Sequence, residues 1–137
     1  MAGFAAAETA DDTLKGGAGN DTIVGEVDTI TINSGALVLR SADDDIDGGD
    51  GADTLVGDHD TLIGPDGSYL SETYKDRIKG GAGNDTIYGD ERVGNNVIGV
   101  IADGWSDTID GQSGTDTADA GPGTDTCTSI EAPTNCE

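Results

Sequence analysis

The sequence predicts an all-β fold, a parallel β-roll or β-helix solenoid of about 16 residues per coil with seven to eight coils. Three observations predict it. Gly16-Gly17-Ala18-Gly19-Asn20-Asp21-Thr22-Ile23 recurs as Gly48-Gly49-Asp50-Gly51-Ala52-Asp53-Thr54-Leu55 and as Gly80-Gly81-Ala82-Gly83-Asn84-Asp85-Thr86-Ile87, with a weaker copy at Gly111-Gln112-Ser113-Gly114-Thr115-Asp116-Thr117-Ala118. Aspartates recur at fixed spacings between and within these copies. The composition suits no thick globular core: 23 of 137 residues are glycine and only 4% are aromatic.

The charge balance narrows the choice. Six Lys and Arg stand against 28 Asp and Glu, a net charge of −22, and self-repulsion on that scale opposes compaction. Such a chain either stays disordered or folds around cations that neutralise it, and a fixed repeat favours the second. The same charge argues against nucleic acid and anionic membranes as partners. No run approaches the roughly 18 apolar residues of a membrane span, so no membrane insertion is expected. Residues 1–10 have neither a basic start nor a long apolar stretch and do not read as an intact secretory signal; export with a trimmed signal, or by another route, is expected.

Along the chain, Asp12, Asp28, Asp44, Asp60 and Asp76 fall 16 apart; the register then meets Arg92, Asp107 and Asp125. A second series, Asp21, Asp53, Asp85 and Asp116, falls 32, 32 and 31 apart. A coil of two short strands and two turns, stacked about 4.8 Å apart, would carry an Asp at nearly every level of one edge and glycine turns at alternate levels of the other. Seven to eight such coils make a rod of roughly 35–40 Å. Two positions after these aspartates stand Leu14, Ile23, Ile30, Ile46, Leu55, Leu62, Ile78, Ile87 and Ile109. Period-2 alternation turns them inward, opposite the neighbouring Thr. Helix is excluded by glycine content and by the spacing.

Residues 9–126 are expected to form the roll. Residues 1–8 are set apart as an Ala-rich N-terminal segment. Residues 127–137 are expected to cap the last coil, since an open parallel edge would template aggregation. Cys127 and Cys136 lie in that tail, and a disulfide between them suits an oxidising compartment, so the protein is expected to be secreted or on the cell surface.

At the glycine turns the chain resembles the RTX, or haemolysin-type calcium-binding repeat, family, over most of residues 8–126. The resemblance implies a parallel β-roll and several Ca2+ ions held between stacked turns, ligated by the repeat's Asp and by loop carbonyls. Carried over, the metal-site residues are Gly17, Gly19 and Asp21; Gly49, Gly51 and Asp53; Gly81, Gly83 and Asp85; and Asp116. The other column, Asp12, Asp28, Asp44, Asp60, Asp76, Asp107 and Asp125, is expected to bind as well. Calcium suits this donor set because it accepts six to eight oxygens in a forgiving geometry, whereas magnesium demands a tight octahedron and zinc prefers Cys and His. Six to eight ions would bring the charge from −22 to about −10 to −6, so folding is expected to be coupled to calcium.

The chain departs from the family at one edge. Gly25-Glu26-Val27-Asp28, Gly57-Asp58-His59-Asp60 and Gly89-Asp90-Glu91-Arg92 read as short turns without the full glycine loop. Glu26, Asp58 and Asp90 there either ligate or face solvent. Arg92 interrupts the carboxylate column, which predicts an ion-free level. His59 reads as a turn residue and Trp105 as packing or cap.

Two function classes follow: a structural or spacer module that folds on calcium, or a self-assembling surface or filament subunit stacked end to end. Catalysis is not expected, because one histidine, no zinc motif and no phosphate loop leave no reaction centre. A flat Thr array for binding ice is interrupted by Asp45, Arg77 and Val93.

Overall fold

A computed structural model describes residues 4–8, 10–26, 29–31, 36–40, 42–58, 61–63, 69–72, 74–90, 100–102 and 105–136. In chain order, the first coil holds β1 (Phe4–Glu8), β2 (Thr13–Ala18), β3 (Thr22–Val24) and β4 (Thr29–Thr31). The second holds β5 (Ala36–Arg40), β6 (Asp45–Asp50), β7 (Thr54–Val56) and β8 (Thr61–Ile63). Then come β9 (Tyr69–Glu72), β10 (Arg77–Ala82) and β11 (Thr86–Tyr88), followed by β12 (Val100–Ala102), β13 (Thr108–Ser113) and β14 (Thr117–Asp119). The chain closes with β15 (Thr126–Thr128) and β16 (Ala132–Thr134).

These strands stack into four parallel sheets: β15-β13-β10-β6-β2, β16-β14-β11-β7-β3, β1-β5-β9-β12 and β4-β8. The all-β solenoid expected from the sequence is thus the observed architecture. The length of its coil is not. Thr13 lies opposite Asp45 and Asp45 opposite Arg77, so a coil takes 32 residues, twice the expected 16. The next step, Arg77 to Thr108, takes 31, and the last, Thr108 to Thr126, takes 18. The two longest sheets have five strands each, a stack of about 20 Å, in place of seven to eight coils.

The physical reason is that each full glycine turn stacks on the next full glycine turn, with no room between them for side chains. Gly49 has φ 100°, and a Cβ there would run into the main chain of Gly17, one level away. Complete turns recur every 32 residues, and that interval sets the coil. The extra residues form a second lobe, entered after β3 and left before β6, which carries the β1 and β4 sheets. The last coil has no such lobe; its 18 residues are two nonapeptides.

Period-2 alternation places the core. Along β6, Asp45 is exposed, Ile46 buried, Asp47 half-buried and Gly48 buried. The inward residues form two columns across the pairing registers. One runs Leu14, Ile46, Ile78, Ile109, Cys127. The other runs Ile23, Leu55, Ile87, Ala118; Pro133, which follows Ala118 in the register, is exposed. Ile46, Leu55, Ile78, Ile87 and Ile109 are fully buried, each worth about 1.5–3 kcal/mol of transfer free energy.

At the ends, β1 falls in the segment set apart as N-terminal, yet it pairs in register with β5. The tail adds a strand to each main sheet: β15 pairs with β13 and β16 with β14. A disulfide joins Cys127 to Cys136, and Ile130 and Cys136 pack against the core. Trp105 is exposed and lies outside the core, its ring stacked on Tyr74 of the previous level at 6.0 Å.

Candidate metal sites

Each glycine turn ends in a carboxylate because the loop must reverse direction and hand over to a strand within six residues. Positive-φ glycines make the reversal: Gly17 and Gly19, Gly49 and Gly51, Gly81 and Gly83. Asp then joins a ladder between levels. The amide of Asp21 donates to Asp53 Oδ1 at 2.8 Å, that of Asp53 to Asp85 Oδ1 at 2.9 Å, and that of Asp85 to Asp116 Oδ1 at 2.8 Å. One oxygen of each carboxylate is thereby fixed. The other, Oδ2, is buried and accepts no hydrogen bond in Asp21, Asp53, Asp85 and Asp116.

These spare oxygens converge with main-chain carbonyls. A Cβ on Gly16 would stand 2.6 Å from Asp21 Oδ2 and 2.5 Å from the carbonyl of Gly48, one level on. The same pair recurs at Gly48, with Asp53 Oδ2 at 2.6 Å and the Gly80 carbonyl at 2.5 Å. Glycine is required here because any side chain would fill the space in which the two oxygens meet.

The opposite edge repeats this chemistry with a split turn. The amides of Asp12, Asp44, Asp76 and Asp107 donate to Oδ1 of Asp44, Asp76, Asp107 and Asp125 at 2.8–2.9 Å. Oδ2 of Asp44, Asp76 and Asp107 is again buried without a hydrogen-bond partner. Asp44 Oδ2 abuts Gly25 beside the carbonyl of Gly57, and Asp76 Oδ2 abuts Gly57 beside the carbonyl of Gly89. A Cβ on Gly89 would lie 2.5 Å from Asp107 Oδ2 and 2.6 Å from the Ala120 carbonyl. Gly25 therefore begins a turn that Asp44 completes, with the second lobe inserted between them. Among the described residues, Gly25 meets Asp44 and Gly57 meets Asp76. Asp28, Asp60, His59 and Arg92, with the ion-free level expected at Arg92, lie outside the described residues.

Electrostatics mark this second column. Burial raises Asp76 to about 9; the amide of Asp44 opposes the shift and the charges of Asp107, Asp44 and Asp90 add to it. Burial raises Asp107 to about 7, with Asp125 and Asp43 adding and Lys75 opposing. Asp44 rises to about 6, mainly through burial, with Glu26, Asp12 and Asp11 contributing. In the first column Asp85 is also raised, by burial and then by Asp116 and Asp53. Glu26 and Asp90 thus act on the second column at close range, and Asp58 and Asp90 are buried; of the two alternatives for this acidic position, facing solvent is excluded for both.

Four copies of the RTX calcium-binding nonapeptide repeat match the chain, over residues 5–30, 40–68, 72–91 and 106–127. The chain belongs to the RTX calcium-binding repeat family. Comparison with curated proteins and with solved structures finds no match.

The residues present fit the ion that the RTX repeats bind. Every donor is a hard oxygen, the orphaned Oδ2 atoms are buried, and a carbonyl from the next level meets each of them. Among the described residues no three His, Cys, Asp or Glu side chains gather into one ligand set, and the oxygens beside the buried carboxylates are main-chain carbonyls. Such oxygens suit calcium, which accepts carbonyl oxygen readily, whereas zinc prefers Cys and His. What the sequence missed was the split turn. Its signal is the 18-residue step from Asp107 to Asp125, where Gly121-Pro122-Gly123-Thr124-Asp125 shows the same edge unbroken.

Proposed function

We propose that this calcium-binding β-roll is a secreted or cell-surface module that folds on Ca2+ and serves as a rigid structural spacer. The observation that carries it is the pair of carboxylate columns in which Oδ2 of Asp21, Asp53, Asp85 and Asp116, and of Asp44, Asp76 and Asp107, is buried without a hydrogen-bond partner. Holding ionised Asp there costs several kcal/mol per group unless a cation compensates, so an ion at each level turns repulsion into cohesion. Millimolar calcium outside the cell would fill such sites where the cytosol would not, and the Cys127–Cys136 disulfide suits the same compartment. The module is read as non-catalytic, since the carboxylates available for acid–base chemistry are engaged in main-chain ladders. End-to-end filament growth is the weaker proposal. At the C-terminal end the last strand of its sheet carries Pro133, which lacks a donor for a further strand.

Circular dichroism during a calcium titration, with magnesium as control, tests the proposal. The β spectrum is expected to grow with calcium and not with magnesium, and Asp53→Ala to raise the calcium midpoint while His59→Ala leaves it unchanged. A full β spectrum in excess chelator at neutral pH would sink the coupling of folding to calcium.

A further inference from the structure

The first carboxylate ladder does not stop at the last repeat. The amide of Asp116 donates to Oε2 of Glu131 at 2.7 Å, as the amide of Asp85 donates to Asp116 one level earlier. Glu131 precedes Ala132, whose amide bonds the Asp116 carbonyl at 3.2 Å, as the Thr117 amide bonds the Asp85 carbonyl at 3.0 Å. Glu131 therefore occupies the position of the aspartate of a further turn. The carbonyl of that turn is supplied as well. At Gly111 the oxygen that a Cβ would strike is that of Ser129, in the place held by the Gly48 carbonyl over Gly16 and the Gly80 carbonyl over Gly48. Ser129 adopts φ 54° to present it.

Chain length explains the change from Asp to Glu. Five residue steps separate Gly111 from Asp116, but only two separate Ser129 from Glu131. The abbreviated loop stands further back, and one more methylene carries the carboxylate across. Facing it is Asp116, fully buried, with Oδ2 lacking a hydrogen-bond partner and directed at Gly111 beside the Ser129 carbonyl. The match to the repeat family ends at residue 127, before either cap residue.

We infer that the C-terminal cap completes one more calcium site, in which Glu131 and the Ser129 carbonyl stand in for a missing repeat opposite Asp116. This rests on the calcium reading above. The disulfide between Cys127 and Cys136 brackets residues 129–131 and holds the abbreviated loop in place. Glu131 is exposed, so water completes the coordination, and this site is weaker than those between two full turns.

The test is a count of bound calcium on the full oxidised chain, by calorimetry and by equilibrium dialysis, for wild type and Glu131→Gln. The amide oxygen of Gln still accepts from Asp116 N–H, so the β spectrum at saturating calcium is expected to match wild type while one ion fewer binds. Reducing the disulfide should weaken that one site by about tenfold or more. Equal ion counts and affinities in the two chains would overturn the inference while leaving the calcium reading intact; a wild-type chain that binds no calcium would remove that reading itself. Should Glu131→Gln fail to reach the wild-type spectrum, Glu131→Asp decides. It keeps the charge but shortens the reach, and is expected to bind the last ion at least tenfold more weakly; wild-type affinity in that chain would overturn the inference.

Discussion

Gln112 is where a single residue departs furthest from the repeat. It pairs with Gly81 across the register and holds φ 68°, where Gly17, Gly49 and Gly81 hold 104°, 100° and 110°. Only glycine visits that region without steric cost. The amide of Gln112 donates to Asp110 Oδ1 at 3.1 Å, a local bond that offsets part of the strain. Gln112→Gly is expected to stabilise the calcium-loaded protein by about 0.5–1 kcal/mol, read from denaturant midpoints. The converse change is more severe. Gly49→Ala places a methyl group against the Gly17 main chain as well as straining φ, and should cost about 3 kcal/mol or more. Equal effects at the two positions would mean that stacking, level on level, does not constrain the turn.

The outer face of the β2 sheet carries charge in alternation: Lys15, Asp47, Lys79 and Asp110 are successive neighbours across the register. Opposite charges on adjacent strands attract and like charges repel, so Lys15 and Lys79 relieve the repulsion that Asp47 and Asp110 would otherwise meet on this face. Lys79→Glu makes three consecutive levels acidic and should cost about 1 kcal/mol in low salt, shrinking in about 1 M salt as the Debye length falls. A loss independent of salt would mean that Lys79 acts through packing. Neither this ladder nor the coil length was legible in the sequence, although the strands were. Ile46, Leu55, Ile78, Ile87 and Ile109 could be assigned inward because alternation is local and each follows an Asp by two. Coil length is not local. A carboxylate carries no mark of the level on which it stacks, so Asp12 and Asp28, 16 apart, read as neighbours although Asp12 in fact bonds Asp44. The lobe between Gly25 and Asp44 hid the rest: Gly25-Glu26 reads as a finished short turn, and its closing aspartate comes only after a stretch that does not repeat the glycine motif.

At the scale of the whole molecule, protons and calcium compete for the same oxygens. Asp44, Asp76 and Asp107 are raised from 3.8 to about 6, 9 and 7, so in the metal-free roll each binds a proton more tightly than in the unfolded chain. Where the folded state holds more protons, stability falls as pH rises. The stabilisation is complete only below the ordinary carboxylate value of 3.8 and is lost as pH climbs through about 6, 7 and 9. In excess chelator, therefore, the β spectrum should appear on acidification to about pH 4–5 and vanish toward pH 9. Calcium reverses the order, because it needs the ionised oxygens and must displace those protons. Between about pH 5 and 9 the calcium concentration at half-folding should fall as pH rises, by about tenfold per pH unit for each proton displaced per ion bound. Circular dichroism across a grid of pH and calcium reads both slopes at once. A calcium midpoint indifferent to pH over that range would mean that the ions do not bind at Asp44, Asp76 and Asp107. The split-turn column would then be held by protons alone, and only the unbroken turns at Asp21, Asp53, Asp85 and Asp116 would remain to gather the metal.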